Sequence, residues 1–125
     1  MKRVIIALTC LTITGLMFAH PASKLEAKAD GLEKTLSIKY DHKVMSPKGH
    51  YIKNITVKFK GETIIKQKLT RQDTKKSGSV LYRIPSMSPG DEYNITAECS
   101  KSGTKKAAVK VGTVNFKKPV KPKKR

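Results

Sequence analysis

The sequence predicts an all-β protein, a single antiparallel β-sandwich of six or seven strands. Apolar and polar residues alternate in one short segment after another, and turn residues separate these segments. Between the apolar N-terminal segment and the lysine-rich C-terminal end, no stretch has the apolar spacing of an amphipathic helix. Lysine fills many of the alternate positions, which indicates that one face of each sheet meets water.

The N-terminal segment has the pattern of a helical export signal. Residues 1–3 carry two basic side chains, and residues 4–19 form an apolar run that is short for a membrane span. Small residues place the cleavage after Ala22 or after Ala29, so residues 1–29 are predicted as the signal peptide. The mature protein is then periplasmic or extracellular, with no transmembrane span. An uncleaved anchor and a lipoprotein modified at Cys10 are the alternatives.

The strand segments follow in order, and the predicted sandwich domain spans residues 30–116. The segment 24–30 could supply a first strand, but a cut after Ala29 would remove it. Gly112 is predicted to mark a bulge, after which Val114 and Phe116 continue the last strand. The remaining predicted strands are 35–40, 51–59, 64–69, 79–84, 92–99 and 105–116.

The stretch VLYRIPSMSPGDEYNITAEC, residues 80–99, resembles the E strand, the E–F corner and the F strand of fibronectin type III and immunoglobulin-like domains. The resemblance implies a tyrosine corner, in which the hydroxyl of Tyr93 bonds to upstream backbone and Pro89 and Gly90 form the turn. It also implies that Tyr40 takes the core position where the family usually has a tryptophan, which this chain lacks. We expect Tyr93→Phe to cost about 1 kcal/mol or somewhat more through the lost hydroxyl bond.

The same resemblance places the third, fourth, sixth and seventh strands in one sheet. The outer face of that sheet is rich in lysine and holds one acid, Glu98, so it is a candidate docking surface, with an ordinary solvated face as the alternative. The predicted binding residues are Asn54, Thr56, Lys58, Lys66, Lys68, Asn94, Thr96, Lys106 and Lys110.

The charge of the chain favours anionic partners. It has 27 lysines and arginines against 9 acidic residues, a net charge of +18. Most of the basic residues are lysines, so binding to nucleic acid is possible but would be salt-sensitive and non-specific. Residues 117–125 are predicted to be a disordered, proline-containing basic tail that either contacts a polyanion or keeps the chain soluble. Its basic residues are Lys117, Lys118, Lys121, Lys123, Lys124 and Arg125.

The residue pattern predicts no catalytic, cofactor-binding or metal-binding residues. His42 and His50 fall in the loop before the third strand, whereas Cys99 lies on the core face of the sixth. A strand cysteine would have to meet a loop histidine to form a reactive pair, and two histidines with one cysteine lack the spacing of known metal sites. Cys99 is predicted to be a buried, inert thiol, and a Cys99-linked dimer is the alternative to a monomer.

Three functional hypotheses follow. The first is a small exported, non-enzymatic binding module that engages a protein or polyanionic partner through the lysine-rich face and the tail. The second is a structural or accessory subunit of an envelope or secretion assembly. The third is a non-specific nucleic-acid-binding basic protein.

Overall fold

The computed structural model describes residues 20–112, which form seven strands and no helix. The strands are β1 (Lys24–Asp30), β2 (Thr35–Asp41), β3 (Ile52–Phe59), β4 (Glu62–Lys68), β5 (Ser77–Arg83), β6 (Glu92–Cys99) and β7 (Thr104–Lys110). Within this part of the chain, no helix is long and apolar enough to cross a membrane.

The strands form two antiparallel sheets, one with the order β1-β2-β5 and the other with the order β4-β3-β6-β7. The all-β prediction is therefore confirmed, and each predicted segment corresponds to one strand. β1 pairs with β2 over its whole length, from Lys24 opposite Asp41 to Asp30 opposite Thr35. This strand lies in the segment that a cut after Ala29 would remove.

One hydrophobic core lies between the two sheets, as expected for a sandwich-like arrangement. The alternate residues Leu36, Ile38 and Tyr40 of β2 face Ile55 and the other core residues of the second sheet, and all four are buried. Each fully buried aliphatic side chain of this kind contributes about 1.5–3 kcal/mol relative to exposure. The side-chain alternation read from the sequence thus decides which face of each strand is inside.

Tyr40 occupies the core position predicted for it, with 2% of its surface exposed. It lies opposite Gly78 of β5, and a Cβ at Gly78 would overlap the Tyr40 hydroxyl. Burial, followed by the nearby Asp73 carboxylate, raises the pKa of Tyr40 to about 12. A glycine is required here because the tyrosine ring covers the backbone of the neighbouring strand.

The turn before β6 also forms as predicted, but the hydroxyl of Tyr93 does not make the expected bond. Asp91 donates its N–H to the Ser88 carbonyl at 3.1 Å, and Gly90 takes a φ of 87°, the geometry that a Pro-Gly turn needs. Tyr93 is 1% exposed, and its hydroxyl donates to the Asp91 carboxylate at 3.4 Å rather than to upstream backbone. The ring is a core residue, whereas its hydroxyl bond is weak.

Several predictions fall outside the described residues. The first 19 residues of the predicted export signal and the whole predicted basic tail, residues 117–125, lie there. β7 ends at Lys110, followed by the buried Val111, and the predicted continuation through Val114 and Phe116 lies beyond.

Candidate metal centre

Four segments that are distant in sequence meet at one end of the two sheets. β1 begins opposite the end of β2, because Lys24 pairs with Asp41, and β3 begins opposite the end of β6, because Ile52 pairs with Cys99. This antiparallel register brings together the residues before β1, after β2, before β3 and at the end of β6. They carry His20, His42, His50 and Cys99.

The three imidazole rings pack against one another edge to face. The ring centroids of His20 and His42 are 5.0 Å apart, those of His20 and His50 are 5.3 Å apart, and those of His42 and His50 are 4.7 Å apart. One ring nitrogen from each residue lies within 4.8 Å of the others. The sequence contains 3 histidines, so every histidine of the chain is in this cluster.

Gln72, from the loop between β4 and β5, fixes the orientation of His42. Both residues are fully buried. The Gln72 amide nitrogen donates to the carbonyls of His42 at 2.6 Å and Thr74 at 2.8 Å. Its Oε1 must therefore accept the bond from His42 Nδ1, at 2.8 Å. In the neutral form of His42, Nδ1 therefore carries the hydrogen and Nε2 keeps a lone pair, as a metal-binding imidazole requires.

Nε2 of His42 lies 3.1 Å from the His20 carbonyl oxygen. With the hydrogen on Nδ1, these two atoms present lone pairs to each other, and neither can donate. A proton or a cation beside Nε2 relieves that repulsion. The backbone of His20 is thus directly at the cluster, not only its ring.

Cys99 lies at the edge of the cluster. His50 Nε2 is 3.0 Å from Cys99 Sγ, and the Lys101 N–H donates to the same sulfur at 3.4 Å. Burial lowers the pKa of His50, and the neighbouring His42, His20 and Lys101 lower it further. The neutral form of His50 is therefore favoured, which is the form that binds metal. Cys99 is 2% exposed, so little of it is open to another chain.

The segment before β1 holds His20 in place. Pro21 packs on Gly103 in the turn between β6 and β7. A Cβ added at Gly103 would lie only 2.8 Å from Pro21 Cδ. Ala22 is 1% exposed and belongs to the core. The Ser23 N–H donates to the Asp41 carbonyl at 2.8 Å, which extends the β1–β2 pairing towards the cluster.

Metal binding is the chemistry that this arrangement supports. Three imidazoles in one place offer three nitrogen ligands, and imidazole suits zinc, copper, iron and nickel. Among residues 20–112, the polar contacts of the three rings are with Gln72, Cys99 and backbone carbonyls, and none is with a carboxylate. The cluster therefore has no anion that would favour three charged histidines.

Sequence reasoning placed His42, His50 and Cys99 on the correct elements but did not anticipate their contact. It located His50 in a loop and Cys99 in a strand, and it treated a meeting of the two as unfavourable. It also assigned His20 to the export signal. The available signal was the β3–β6 pairing, because a residue just before β3 must lie near the end of β6.

The predicted lysine-rich face has the expected geometry. Thr56 pairs with Lys66 on one side and Thr96 on the other, and Thr96 pairs with Lys106, so these four residues form one row across the sheet. The register places the other predicted residues on the same face, namely Asn54, Lys58, Lys68, Asn94 and Lys110.

Glu98 is engaged by its neighbours, and it is not the single acid of this face, because the register also places Glu92 there, opposite Lys110. The Asn54 amide donates to it at 3.0 Å, and Lys53 forms an ion pair with it at 3.0 Å. These two contacts lower the pKa of Glu98. The lysines of the central row thus face no free carboxylate among the residues predicted for this face.

No model of a known protein family matches this chain, and a search of curated proteins finds no significant match.

Proposed function

We propose that this chain is an exported β-sandwich module of the fibronectin type III or immunoglobulin-like kind that binds one first-row transition-metal ion. His20, His42 and His50 are the proposed nitrogen ligands. The observation that carries the proposal is the convergence of every histidine in the chain on one point, with one nitrogen of each within 4.8 Å of the others. The sheet orders β1-β2-β5 and β4-β3-β6-β7 support the family assignment.

A purely structural role explains the cluster less well. A single buried histidine is readily accommodated by hydrogen bonds, and His42 alone would fit that role through Gln72. Three imidazoles in mutual contact repel as soon as more than one is protonated, and the cluster gains little from packing that apolar side chains would not supply. With a bound cation, the close approach of the three imidazole rings becomes favourable.

Cys99 narrows the choice of ion. Its sulfur lies 3.0 Å from His50 Nε2 and accepts the Lys101 N–H, so it is close enough to the three rings to act as a further ligand. Thiolate and imidazole together favour zinc, copper and iron over magnesium or calcium. In this chain the three rings would hold the ion, and Gln72 would orient one of them.

Metal titration of the exported protein tests the proposal. The protein is purified, stripped of metal and titrated with Zn²⁺, Cu²⁺ and Co²⁺. We expect one ion to bind per chain, and His50→Ala to weaken binding at least tenfold. Met45→Ala is the matched control, because Met45 lies in the same loop and is 91% exposed. If neither His50→Ala nor His20→Ala weakens metal binding, the proposal is wrong.

Cobalt also reports on Cys99. If the sulfur is a ligand, the Co²⁺ protein shows a thiolate-to-cobalt absorption band that Cys99→Ser removes. If the sulfur only bonds to His50, the band is absent and Cys99→Ser leaves the visible cobalt spectrum nearly unchanged. Both results are compatible with the three-histidine site, and they distinguish its two possible compositions.

A second candidate function is docking of a polyanion on the lysine-rich face. The observation that favours it is the row Lys66, Thr56, Thr96 and Lys106, which the register aligns across four strands. The charged side chains of this row are lysines and no member of the row is aromatic, so the face suits a charged polymer better than stacked bases. This surface is separate from the metal centre, so the two functions are compatible.

A further inference from the structure

We infer that the export signal is removed between Ala19 and His20, so that the mature protein begins at His20. The inference assumes the export part of the proposed function, but it does not depend on metal binding. It concerns the packing of residues 20–30, which the fold needs. The two cuts predicted from small residues, after Ala22 and after Ala29, would each remove part of this segment.

A cut after Ala29 would remove all of β1 except its last residue. That strand makes seven consecutive pairs with β2, and Leu25 contributes to the core. Without it, β2 would become an edge strand, and the buried Leu36 and Ile38 would lose their cover on that side. Such a cut would therefore leave a domain with an open core.

A cut after Ala22 would keep β1 but remove the three residues that close the end of the two sheets. Ala22 is 1% exposed in the core, and Pro21 fills the space above Gly103. The His20 carbonyl lies 3.1 Å from His42 Nε2, and the His20 ring contacts both other histidines. Each of these three residues thus has a place in the folded domain.

The bond before His20 satisfies the fold and one of the two small-residue positions of the export pattern. The apolar run 4–19 ends at Ala19, which supplies the small residue directly before the bond, and Met17 stands two residues earlier. Residues 20–30 make contacts in the folded domain, whereas residues 1–19 hold the charged and apolar parts of the predicted signal. Cleavage here separates the export signal from the domain without cost to the fold.

The exported protein is the material for the test. The full chain is expressed with its own signal in a bacterial host, the exported fraction is collected, and the intact mass and N-terminal sequence are measured. We expect a protein that starts at His20. A start at Ser23 or Asp30, or an exported but uncut chain, would overturn the inference. A chain that is not exported at all would overturn the export proposal with it.

Two variants identify the scissile bond independently of folding. Ala19→Leu places a large side chain directly before the inferred bond, so we expect uncut precursor to accumulate. Ala29→Leu makes the same change before the alternative bond and should be processed like the wild type. The reverse pattern would overturn the inference. Metal titration of a chain made to begin at His20 tests the metal site separately, whereas a start at Ser23 or Asp30 would also remove the proposed ligand His20 from the exported protein.

Discussion

The properties of the candidate metal centre depend on a few residues that touch the histidines. Gln72 uses both amide hydrogens on backbone carbonyls, which leaves only its oxygen to face His42. A glutamine that is fully buried for this purpose limits His42 to one tautomer. The ligand nitrogen of His42 is therefore set by a residue that does not belong to the cluster.

Replacing Gln72 with methionine keeps the volume but removes the acceptor for His42 Nδ1. We expect a loss of about 1–3 kcal/mol in unfolding free energy, because a buried donor is left without a partner. We also expect metal affinity to fall roughly 10- to 100-fold, as is usual when an imidazole loses its orienting partner. Urea unfolding measures the loss of stability, and metal titration measures the loss of affinity. Gln67→Met on β4 is the control for metal affinity only, because it removes the acceptor of the Tyr82 hydroxyl and so lowers stability too. Equal affinity in the two variants would contradict the orienting role.

The lowered pKa of His50 predicts how the stability of the metal-free protein depends on pH. Burial is the main cause, followed by the neighbouring His42, His20 and Lys101. The unfolded chain takes up its proton near the ordinary value of 6.5, before the folded protein does. Stability should therefore fall as the pH decreases from that value towards the lower folded pKa, and His50 should contribute no pH dependence above it.

Urea unfolding of metal-free protein at neutral and stepwise lower pH measures this effect. His50→Gln removes the titrating group while keeping a polar side chain of similar length, so its stability should fall less steeply with acidification. If the wild type and His50→Gln lose stability in parallel, the effect comes from other groups and the prediction for His50 is wrong.

At the scale of the elements, the sequence predicted most of the fold but only parts of the centre. Alternation fixed the inner faces of the strands, since the side-chain period of a strand leaves only two choices. The centre is different, because its members precede or follow strands and meet only through register. His50 and Cys99 are 49 positions apart, and only the pairing of β3 with β6 makes them neighbours. The Tyr93 hydroxyl was also mispredicted, because Asp91 offers a nearer acceptor.

The packing of the segment before β1 on the β6–β7 turn can be tested at Gly103. Gly103 and Gly61 both have positive φ, 89° and 82°, so alanine at either position is strained by about 1–2 kcal/mol. Only at Gly103 would the new Cβ also meet Pro21, whereas nothing lies within 4 Å at Gly61. Gly103→Ala should therefore lose more stability in urea unfolding than Gly61→Ala, and it alone should weaken metal binding. Equal losses and unchanged affinity would show that the Pro21 contact is unimportant.

Two tyrosines test how the sheets are joined. The Tyr82 hydroxyl of β5 donates to Gln67 of β4, which links one sheet to the other, and burial raises the pKa of Tyr82 to about 12. Tyr82→Phe should cost about 0.5–1.5 kcal/mol. Tyr93→Phe should cost less than Tyr82→Phe, because its 3.4 Å bond to Asp91 is long. Thermal unfolding of both variants gives the order, and a larger loss for Tyr93→Phe would restore the tyrosine-corner interpretation.

At the scale of the whole molecule, charge and fold separate two surfaces. The metal centre lies at one end of the sheets, whereas the lysine-rich row runs across the outer face of β4, β3, β6 and β7. The net charge of +18 alone would attract any polyanion, so it does not identify a binding face. A test of the face must therefore hold the total charge constant and change only its position.

A pair of matched double variants meets this condition. Lys66→Glu with Lys106→Glu changes the predicted face, and Lys28→Glu with Lys39→Glu makes the same change in net charge on exposed positions of β1 and β2. With heparin as the probe, we expect the first pair to weaken binding more and to reduce its salt dependence more, because fewer counterions are released at the contact. Equal effects of the two pairs would mean that binding follows net charge and that the face has no special role. Repeating the titrations with chains that lack residues 117–125 separates the contribution of the basic tail. If this deletion abolishes heparin binding in every variant, the tail carries the interaction. If the two double variants still differ, the interaction belongs to the row from Lys66 to Lys106.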